Sequence, residues 1–404
     1  MKIAVVVQGR FHAFDLVRAL LKRGHEITVF TNYPKWAAKR FGVPPDRVRT
    51  FWVHGVLSRV AAKVREKTGL SLDFWTHPMF GRWALRQLRR ESWDVIHAWS
   101  GVAEEIYRNR GFEHTLKLVM RGSAHIREQD RILAEEAARV GHRIDRPSRW
   151  MIGREEREYP LADRIVVLST FAYRSFVAAG HDKNRVRMLS LGVNTAAFRP
   201  PEQVLEERRA RILSGAPLRV LYVGLLCFRK GLEDVRKMID TLAIQAPGRF
   251  AFRFIGFVTQ EAKPVIAAIG SRAEFLPKRP QSELPQEYAW GDLFLFPTVE
   301  DGFAAVLAQA GGAGLPILTT ANCCGPDLIK EGRTGWVLPI RCPEAFVNRL
   351  LWCESHRREL AEMVETAYRD FKTRDWSDVA QTFEAICAEK SVARPQIETP
   401  IGVQ

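Results

Sequence analysis

Two groups of residues in the second half of the chain have the types and spacing needed to hold a negatively charged ligand. Arg229 and Lys230 follow the apolar run at 218–226, LRVLYVGLL, which has the pattern of a buried strand. Ligands of open α/β sheets bind beyond the carboxyl ends of strands, so this basic pair is placed to neutralise a phosphate. Gly302 opens a predicted helix at 303–313, and free N–H groups at a helix N-terminus also bind phosphate oxygens. The sequence therefore predicts an anion site built from two loops.

The elements that must position these residues form two successive series of strands and helices. In the first series, IAVVVQG, a helix that ends at Gly24, and HEITVFT make a βαβ unit, which implies a parallel sheet. The other predicted strands of this series are DVIHAW at 94–99, LKLVMRG at 116–122, RIVVLS at 164–169 and VRMLSLGV at 186–193. The second series contains LRVLYVGLL, RFAFRFIGF, AEFLP, GDLFLFPT and LPILTT. Two such series predict an α/β protein with two Rossmann-like domains.

The boundaries follow from composition. Residues 1–198 form the first predicted domain, and the stretch 199–217, rich in proline and charge, is interpreted as a linker. Residues 218–372 form the second domain. A helix and tail at 373–404 complete the chain, with the option of packing back on the first domain.

Three segments, in this order along the chain, resemble the family-4 glycosyltransferases. RIVVLSTFAYRSF with VRMLSLGVNTAAFRP resembles the end of that family's first domain, and LYVGLLCFRKGLEDV resembles the opening of its donor domain. FLFPTVEDGFAAVLAQAGGAGLPILTT resembles its acidic-Gly-Phe-Gly segment. The resemblance covers nearly the whole chain and implies the GT-B fold, in which two Rossmann-like domains face each other across a cleft. It also implies transfer of a sugar from a nucleotide-diphosphate sugar to a hydroxyl acceptor with retention of anomeric configuration.

The resemblance assigns expected roles to individual residues. The expected catalytic residues are Arg229, Lys230, Asp301, His125 and Arg121, of which the basic pair would stabilise the leaving pyrophosphate. The expected donor-binding residues are Gly9, Gly224, Leu276, Gly302, Phe303, Ala304 and Gln309. Leu276 lies in the loop 275–279, where backbone groups would contact the base of a UDP- or GDP-sugar. No Asp-x-Asp motif is present, so neither a metal nor a separate cofactor is expected.

The chain departs from the family pattern at two positions. Leu225 stands where the family has an arginine after the glycine, and Arg229 is a candidate replacement for that charge. Gln309 stands where the family has a second glutamate; it can hydrogen-bond ribose hydroxyls but supplies no charge. Asp301 aligns with the first acid, although Glu300 beside it leaves the register open.

In the first domain, Gly9 of QGRFHAFD would allow close backbone approach to the ligand. The family's His-Gly pair corresponds to the stretch 121–125, RGSAH. Either Arg121 replaces that histidine, or His125 reaches the same space from the loop. The candidates for the acceptor side or the cleft lining are Arg10, His12 and His97.

Charge is distributed unevenly between the two halves. Residues 1–200 hold 36 Lys and Arg against 20 Asp and Glu, a net of +16, whereas residues 201–404 hold 25 against 26. The asymmetry indicates an anionic partner on the first half. Neither a secretory leader nor a membrane span is recognised, so a cytoplasmic protein is expected. The six cysteines include no CxxC pair, and a zinc site is not expected.

The segment 80–93, FGRWALRQLRRESW, has Phe80, Trp83, Ala84 and Leu88 at helical spacing, with arginines around the rest. Such a basic amphipathic helix could lie on the inner face of an anionic membrane. This interpretation predicts peripheral membrane binding and a lipid-linked or otherwise anionic acceptor. The alternative is a helix packed in the first domain with its arginines in solvent.

Other functions compete with sugar transfer. The same fold serves sugar-nucleotide epimerases and glycoside phosphorylases, so fold alone does not exclude them. A nucleic-acid-binding protein would use the basic half, but the sequence has no RRM, KH, helix-turn-helix or zinc signature. Leu225 and Gln309 leave open a sugar-nucleotide sensor that binds without turnover.

Overall fold

The computed structural model describes residues 1–372 and 374–389, without the side chain of Glu66. It contains thirteen strands within those residues. They are β1 (Lys2–Val7), β2 (Glu26–Thr31), β3 (Val48–Thr50), β4 (Val95–Trp99), β5 (Leu116–Arg121), β6 (Arg164–Val167), β7 (Val186–Met188), β8 (Leu218–Val223), β9 (Phe250–Ile255), β10 (Ala273–Leu276), β11 (Leu293–Phe296), β12 (Ile317–Thr320) and β13 (Gly335–Leu338).

Helices connect nearly all of these strands. They are α1 (Ala13–Lys22), α2 (Lys35–Arg40), α3 (Trp52–Thr68), α4 (Asp73–Leu88), α5 (Glu104–Tyr107), α6 (Ile126–Val140), α7 (Arg149–Glu158), α8 (Thr170–Ala178), α9 (Glu202–Leu213), α10 (Leu232–Gln245), α11 (Lys263–Ile269), α12 (Leu284–Trp290), α13 (Ala305–Gly312), α14 (Gly325–Leu328), α15 (Pro343–Ser355), α16 (Arg357–Asp370) and α17 (Trp376–Ala388).

The strands form two separate parallel sheets, one in each half of the chain. The first has the order β3-β2-β1-β4-β5-β6-β7, and the second has the order β10-β9-β8-β11-β12-β13. Their central strands, such as β1 and β11, are apolar and buried along nearly their whole length because helices cover both faces of each sheet. The strand order reverses between β1 and β4 and between β8 and β11, and ligands bind at such switch points. The predicted α/β fold with two Rossmann-like units is confirmed.

The connecting segment 199–217 differs from the expected plain linker, because most of it is the helix α9. This helix packs against α16. The guanidinium of Arg208 is buried and donates to the carbonyl oxygens of Ala313 at 2.8 Å and Tyr288 at 3.1 Å. The charged residues of this stretch suggested an exposed linker. Arg208 is instead buried, and it donates hydrogen bonds to backbone carbonyl groups of the second half.

The last described helix, α17, returns to the first half of the chain. Phe383 contacts the ring of His97 on β4, with 5.2 Å between ring centroids. Glu384 accepts hydrogen bonds from Arg23 at the end of α1, at 2.6 and 2.7 Å. Residues that follow the second sheet in sequence therefore pack against the first sheet and its helix α1.

The segment 80–93 does not present an apolar face to a membrane. Residues 80–88 form the second half of α4, and Phe80, Ala84 and Leu88 are fully buried. Trp83 stacks on Phe51 with 5.4 Å between ring centroids. The membrane interpretation of this helix is wrong, because its apolar face belongs to the core while its arginines point outward. None of the described helices is long and apolar enough to cross a bilayer.

Candidate active site

The carboxyl ends of the two sheets meet where the loop after β5 faces the loop after β11. At this contact, a Cβ added to Gly302 would lie 2.0 Å from the carbonyl oxygen of Gly122. Only a residue without a side chain permits the two backbones to come this close. The position predicted from sequence to open a phosphate-binding helix is thus also one of the places where the two halves touch, together with ion pairs such as Arg139–Asp234.

The predicted basic pair lies at the carboxyl end of β8 in a short 3-10 helix, Phe228–Lys230. Arg229 pairs with the fully buried carboxylate of Glu300 at 2.6 Å, and Lys230 pairs with Asp301 at 2.6 Å. The ammonium of Lys230 also donates to the carbonyl oxygen of Glu300 at 3.1 Å. The sequence left open which of Glu300 and Asp301 aligns with the first acid of the family pattern. In the structure both are ion-paired, each with a different cation.

The ion pairs fix the charge states of this cluster. Burial disfavours ionisation of Asp301, but Lys230 and Arg229 outweigh it and lower the pKa of the Asp301 carboxyl. Burial likewise opposes the charge of Arg229, yet Glu300 and Asp301 raise the pKa of its guanidinium. Asp301 is therefore a carboxylate that accepts hydrogen bonds, including one from the backbone N–H of Phe303 at 3.1 Å.

The first half of the chain reaches the same cluster through β5 and α6. Ser123 donates to one oxygen of Glu300, and the side-chain amide of Gln129 donates to the other at 3.3 Å. Arg121 in turn donates to the Gln129 carbonyl at 2.6 Å. A cavity of about 230 Å³ is lined by both Arg121 and Arg229. Cations from both halves thus face one space.

The structure distinguishes the two alternatives left open at 121–125. Arg121 lies in the cleft cluster, paired with Glu155 at 3.2 Å. The His125 ring instead packs against Tyr159 and Phe176 and lines a different cavity with His181. Burial lowers the pKa of His125 to about 4, so the ring is neutral at physiological pH. The expected catalytic role of His125 has no geometric support.

The three acceptor-side candidates do not converge on the cleft cluster either. His97 is fully buried in β4 against Trp99, at 4.9 Å between centroids, so its assignment to the cleft lining is wrong. His12 is half-buried, and its ring also contacts Trp99, with 5.2 Å between ring centroids. The guanidinium of Arg10 lies over the ring of Phe41, 4.1 Å from its centroid. A buried β-strand histidine and a cleft histidine have the same sequence pattern, which explains the error.

Two predicted glycines lie at strand ends with the backbone geometry that glycine permits. Gly9 has φ +104°, and its N–H donates to the Asn32 side chain at 2.8 Å. Gly224 has φ +156°, and its carbonyl oxygen lies 1.7 Å from where a Cβ on Gly256 would be. The carbonyl of Leu276 accepts from the N–H of Gly256 at 3.2 Å. Gly256 was not singled out from sequence, although its place after a strand was the available signal.

The remaining donor-side residues belong to α13 and the turn before it. Phe303 and Ala304 are buried, and no side chain caps the N-terminus of α13 at Ala304. Gln309 is also largely buried, and its side-chain oxygen accepts from the hydroxyl of Tyr288 at 2.8 Å. Its NH₂ group is the part that stays suited to a ribose hydroxyl.

Sequence reasoning missed the polar residues that join the cluster from the first half. Ser123 stood inside the predicted loop, but nothing in its neighbourhood indicated a contact with Glu300. Gln129 and Glu155 lie on α6 and α7 within runs of charged residues. The sequence pattern does not show that these two side chains face the cluster, because the packing of the helices decides it.

Comparison with known proteins decides the family. Residues 10–197 match the glycosyltransferase family 4 domain, and residues 217–355 match the glycosyl transferases group 1 domain. The chain belongs to the family-4 glycosyltransferases. The resemblance read from the three segments is thereby confirmed.

Relatives and solved structures agree with this assignment. The chain is 29% identical to the sulfoquinovosyl transferase SQD2 of Arabidopsis thaliana over 53% of its length and 42% of that protein's. It is 28% identical to a GDP-mannose-dependent alpha-mannosyltransferase of Mycobacterium tuberculosis over 81% of its length and 80% of that protein's. The chain spans less than two thirds of the length of SQD2 and of two bacterial relatives. HepE of Anabaena, solved with UDP-glucose, shares 16% identity and a TM-score of 0.68 over 96% of this chain and 100% of its own, which confirms the GT-B fold.

Proposed function

We propose that this glycosyltransferase moves a sugar from a nucleotide-diphosphate sugar to a hydroxyl acceptor with retention of anomeric configuration. The observation that carries the proposal is the meeting of Arg229, Lys230 and Arg121 at the carboxyl ends of strands from both sheets. The uncapped N-terminus of α13 stands beside them. Fixed cations and the positive end of a helix dipole in a sheltered cleft favour a diphosphate on which negative charge grows as it leaves.

The cations keep donor capacity for a ligand although they are paired. The ammonium of Lys230 has three N–H donors, of which two are used by Asp301 and the Glu300 carbonyl. Arg229 uses Nε and Nη2, and its Nη1 makes no hydrogen bond within the described part of the chain. Glu300 and Asp301 therefore hold the two cations in position and leave at least one donor on each for phosphate oxygens.

We further propose that the reaction needs no divalent metal. The cations of the cluster would take the part that a metal ion plays at a diphosphate, and the sequence has no Asp-x-Asp motif. The proposed donors are UDP- and GDP-sugars, and the proposed acceptor is lipid-linked, a polysaccharide or another anionic molecule. The names of relatives include both a GDP-mannose-dependent enzyme and a sulfoquinovosyl transferase.

A donor screen followed by turnover tests the proposal. Unfolding is measured with UDP-, GDP- and ADP-sugars, because a ligand at 100 times its Kd stabilises the folded state by about 2.7 kcal/mol. Nucleotide release is then measured for the stabilising donor with and without EDTA, and NMR gives the configuration of the product. Loss of turnover in EDTA with recovery in Mn²⁺ would refute metal independence, and an inverted product would refute retention.

The rival functions give other outcomes of the same screen. An epimerase changes the sugar nucleotide without any acceptor. A sensor binds the donor but turns over with none of the acceptors, and a nucleic-acid binder is stabilised by an oligonucleotide in a salt-dependent manner and by no sugar nucleotide.

A further inference from the structure

Large exposed apolar side chains are concentrated on one region of the first half, between residues 36 and 75. We call this region the outer apolar patch. Its members are Trp36, Trp52, Val53, Val56, Val60, Leu70, Phe74 and Trp75, each between 43% and 66% exposed. Single exposed apolar residues need no explanation, but eight large ones within one stretch of forty residues, three of them tryptophans, indicate an interaction surface.

The exposed apolar residues of α3 lie on a different face of the helix from the residues that pack against the core. On α3, Trp52, Val56 and Val60 follow one another at four-residue spacing and share the outward face. The inward face of the same helix already packs well, since the buried His54 ring contacts Phe80 at 5.3 Å. A helix that is apolar on its inner face and again on its outer face has a second surface to bury.

Exposed cations lie on the same helices as the patch. Lys35, Lys39 and Arg40 lie on α2, and Arg59, Lys63 and Lys67 lie on α3, with all six side chains exposed. Residues 35–68 contain nine Lys and Arg against two Asp and Glu. A convex helix with tryptophan, valine and lysine on one face is suited to the headgroup region of an anionic bilayer, where rings insert and ammonium groups meet lipid phosphates.

The patch adjoins the cleft at the corner between α3 and α4. Arg65 on α3 pairs with Asp73 at the start of α4 at 3.6 Å, and both line the cavity that Arg121 and Arg229 also line. The exposed Phe74 follows Asp73 directly. The cleft opening and the patch therefore share one edge of the molecule.

We propose that the outer apolar patch docks the protein on an anionic lipid surface, so that the cleft opens at the bilayer and receives a lipid whose polar headgroup carries the acceptor hydroxyl. The docking surface is α3 with α2 and the start of α4, and not the helix segment 80–93. The acceptor part rests on the proposed sugar transfer. The docking part stands without it.

Vesicle co-sedimentation tests the docking. The probe is phosphatidylcholine vesicles with and without phosphatidylglycerol, at low and high salt. We expect binding only with the anionic lipid, weakened by salt, with a blue shift of tryptophan fluorescence. Lys63→Gln with Lys67→Gln should weaken binding about thirtyfold, and Trp52→Ser with Val56→Ser should abolish it. Matched controls on the second half are Lys237→Gln with Lys263→Gln for charge and Ile244→Ser for exposed apolar area, and these should bind as the unchanged protein does.

Three outcomes would overturn the docking proposal. The first is a protein that stays in the supernatant with anionic vesicles at low salt. The second is binding that survives the Trp52→Ser and Val56→Ser substitutions in a folded protein. The third is a dimer without lipid that the same substitutions dissociate, which assigns the patch to self-association. Donor-induced thermal stabilisation of each variant separates the two proposals, because docking variants should retain it, whereas failure of sugar transfer alone would leave vesicle binding intact.

Discussion

Lys230 is the residue whose replacement should separate catalysis from folding most clearly. Lys230→Ala should lower turnover about a hundredfold, the cost of one lost charge-assisted contact to a leaving phosphate. In this variant the Asp301 carboxylate still has the charge of Arg229 nearby, and its side chain is 20% exposed to solvent. We therefore expect the variant to fold. Turnover and thermal unfolding are measured together. Lys263→Ala, an exposed lysine of the same half, is the control and should leave both unchanged; retained turnover in Lys230→Ala would remove this lysine from the pyrophosphate site.

Gln309 tests the register of the acidic segment. Gln309→Glu should keep or improve donor affinity, since a carboxylate can still accept from the Tyr288 hydroxyl and restores the family pattern. Asp301→Ala should weaken donor affinity much more, because it releases Lys230 and the Phe303 N–H. Isothermal titration with the stabilising donor gives both affinities. The reverse ranking would mean that Gln309 lies at another position of the motif.

Sequence could identify the residues of this cluster but not their partners. Arg229, Lys230 and Asp301 stand in recognisable segments, and the structure brings them together. The pairing of Arg229 with Glu300, and the reach of Ser123 from a segment 177 residues away in sequence, depend on the packing of two domains. No local pattern carries that information.

At the scale of elements, the contact between the loop after β5 and the loop before α13 depends on a missing side chain. Gly302→Ala should push these two loops apart and open the cleft between the halves, because the new Cβ would lie 2.0 Å from the Gly122 carbonyl oxygen. The matched control is Gly122→Ala, whose Cβ would have no atom within 4 Å. Small-angle scattering should show a larger radius of gyration, and turnover should fall, for Gly302→Ala alone. Equal behaviour of the two variants would contradict a closed contact at this point.

Apolar runs in the sequence predicted eleven of the described strands, including the short β7 and β10. The short strands β3 and β13 were missed. For α4, helical spacing correctly identified an apolar face, but periodicity cannot say whether protein or lipid covers it. The exposed apolar face of α3 was not predicted, because apolar residues on both faces of a helix obscure the helical periodicity of the sequence.

At the scale of the whole molecule, two histidines in the contact between β4, α1 and α17 couple stability to pH. Burial lowers the pKa of His97 to about 3 and that of His12 to about 4, below the ordinary value of 6.5. The unfolded chain therefore takes up protons first, and the stabilising effect of a neutral buried ring is lost as pH falls below 6.5. His97 should account for about 2 kcal/mol of lost unfolding free energy between about pH 7.5 and about pH 5.

Urea unfolding at the two pH values measures this effect. His97→Leu should flatten the pH dependence, because the replacement cannot take up a proton in either state. His114→Leu, which removes an exposed histidine, should leave the dependence unchanged. An unaltered pH dependence in His97→Leu would show that the acid sensitivity arises elsewhere.

The return of α17 to the first sheet has a consequence for how the protein is made. A ribosome that has completed residues 1–375 has synthesised every strand of both sheets, but it has not yet produced Phe383, which covers His97, or Glu384, which ties down Arg23. Domains usually fold in order as they emerge, the N-terminal one first. Here the first domain waits for a helix that follows every strand of both sheets in sequence, so the surface that α17 covers stays apolar and open to chaperones until that helix has been made.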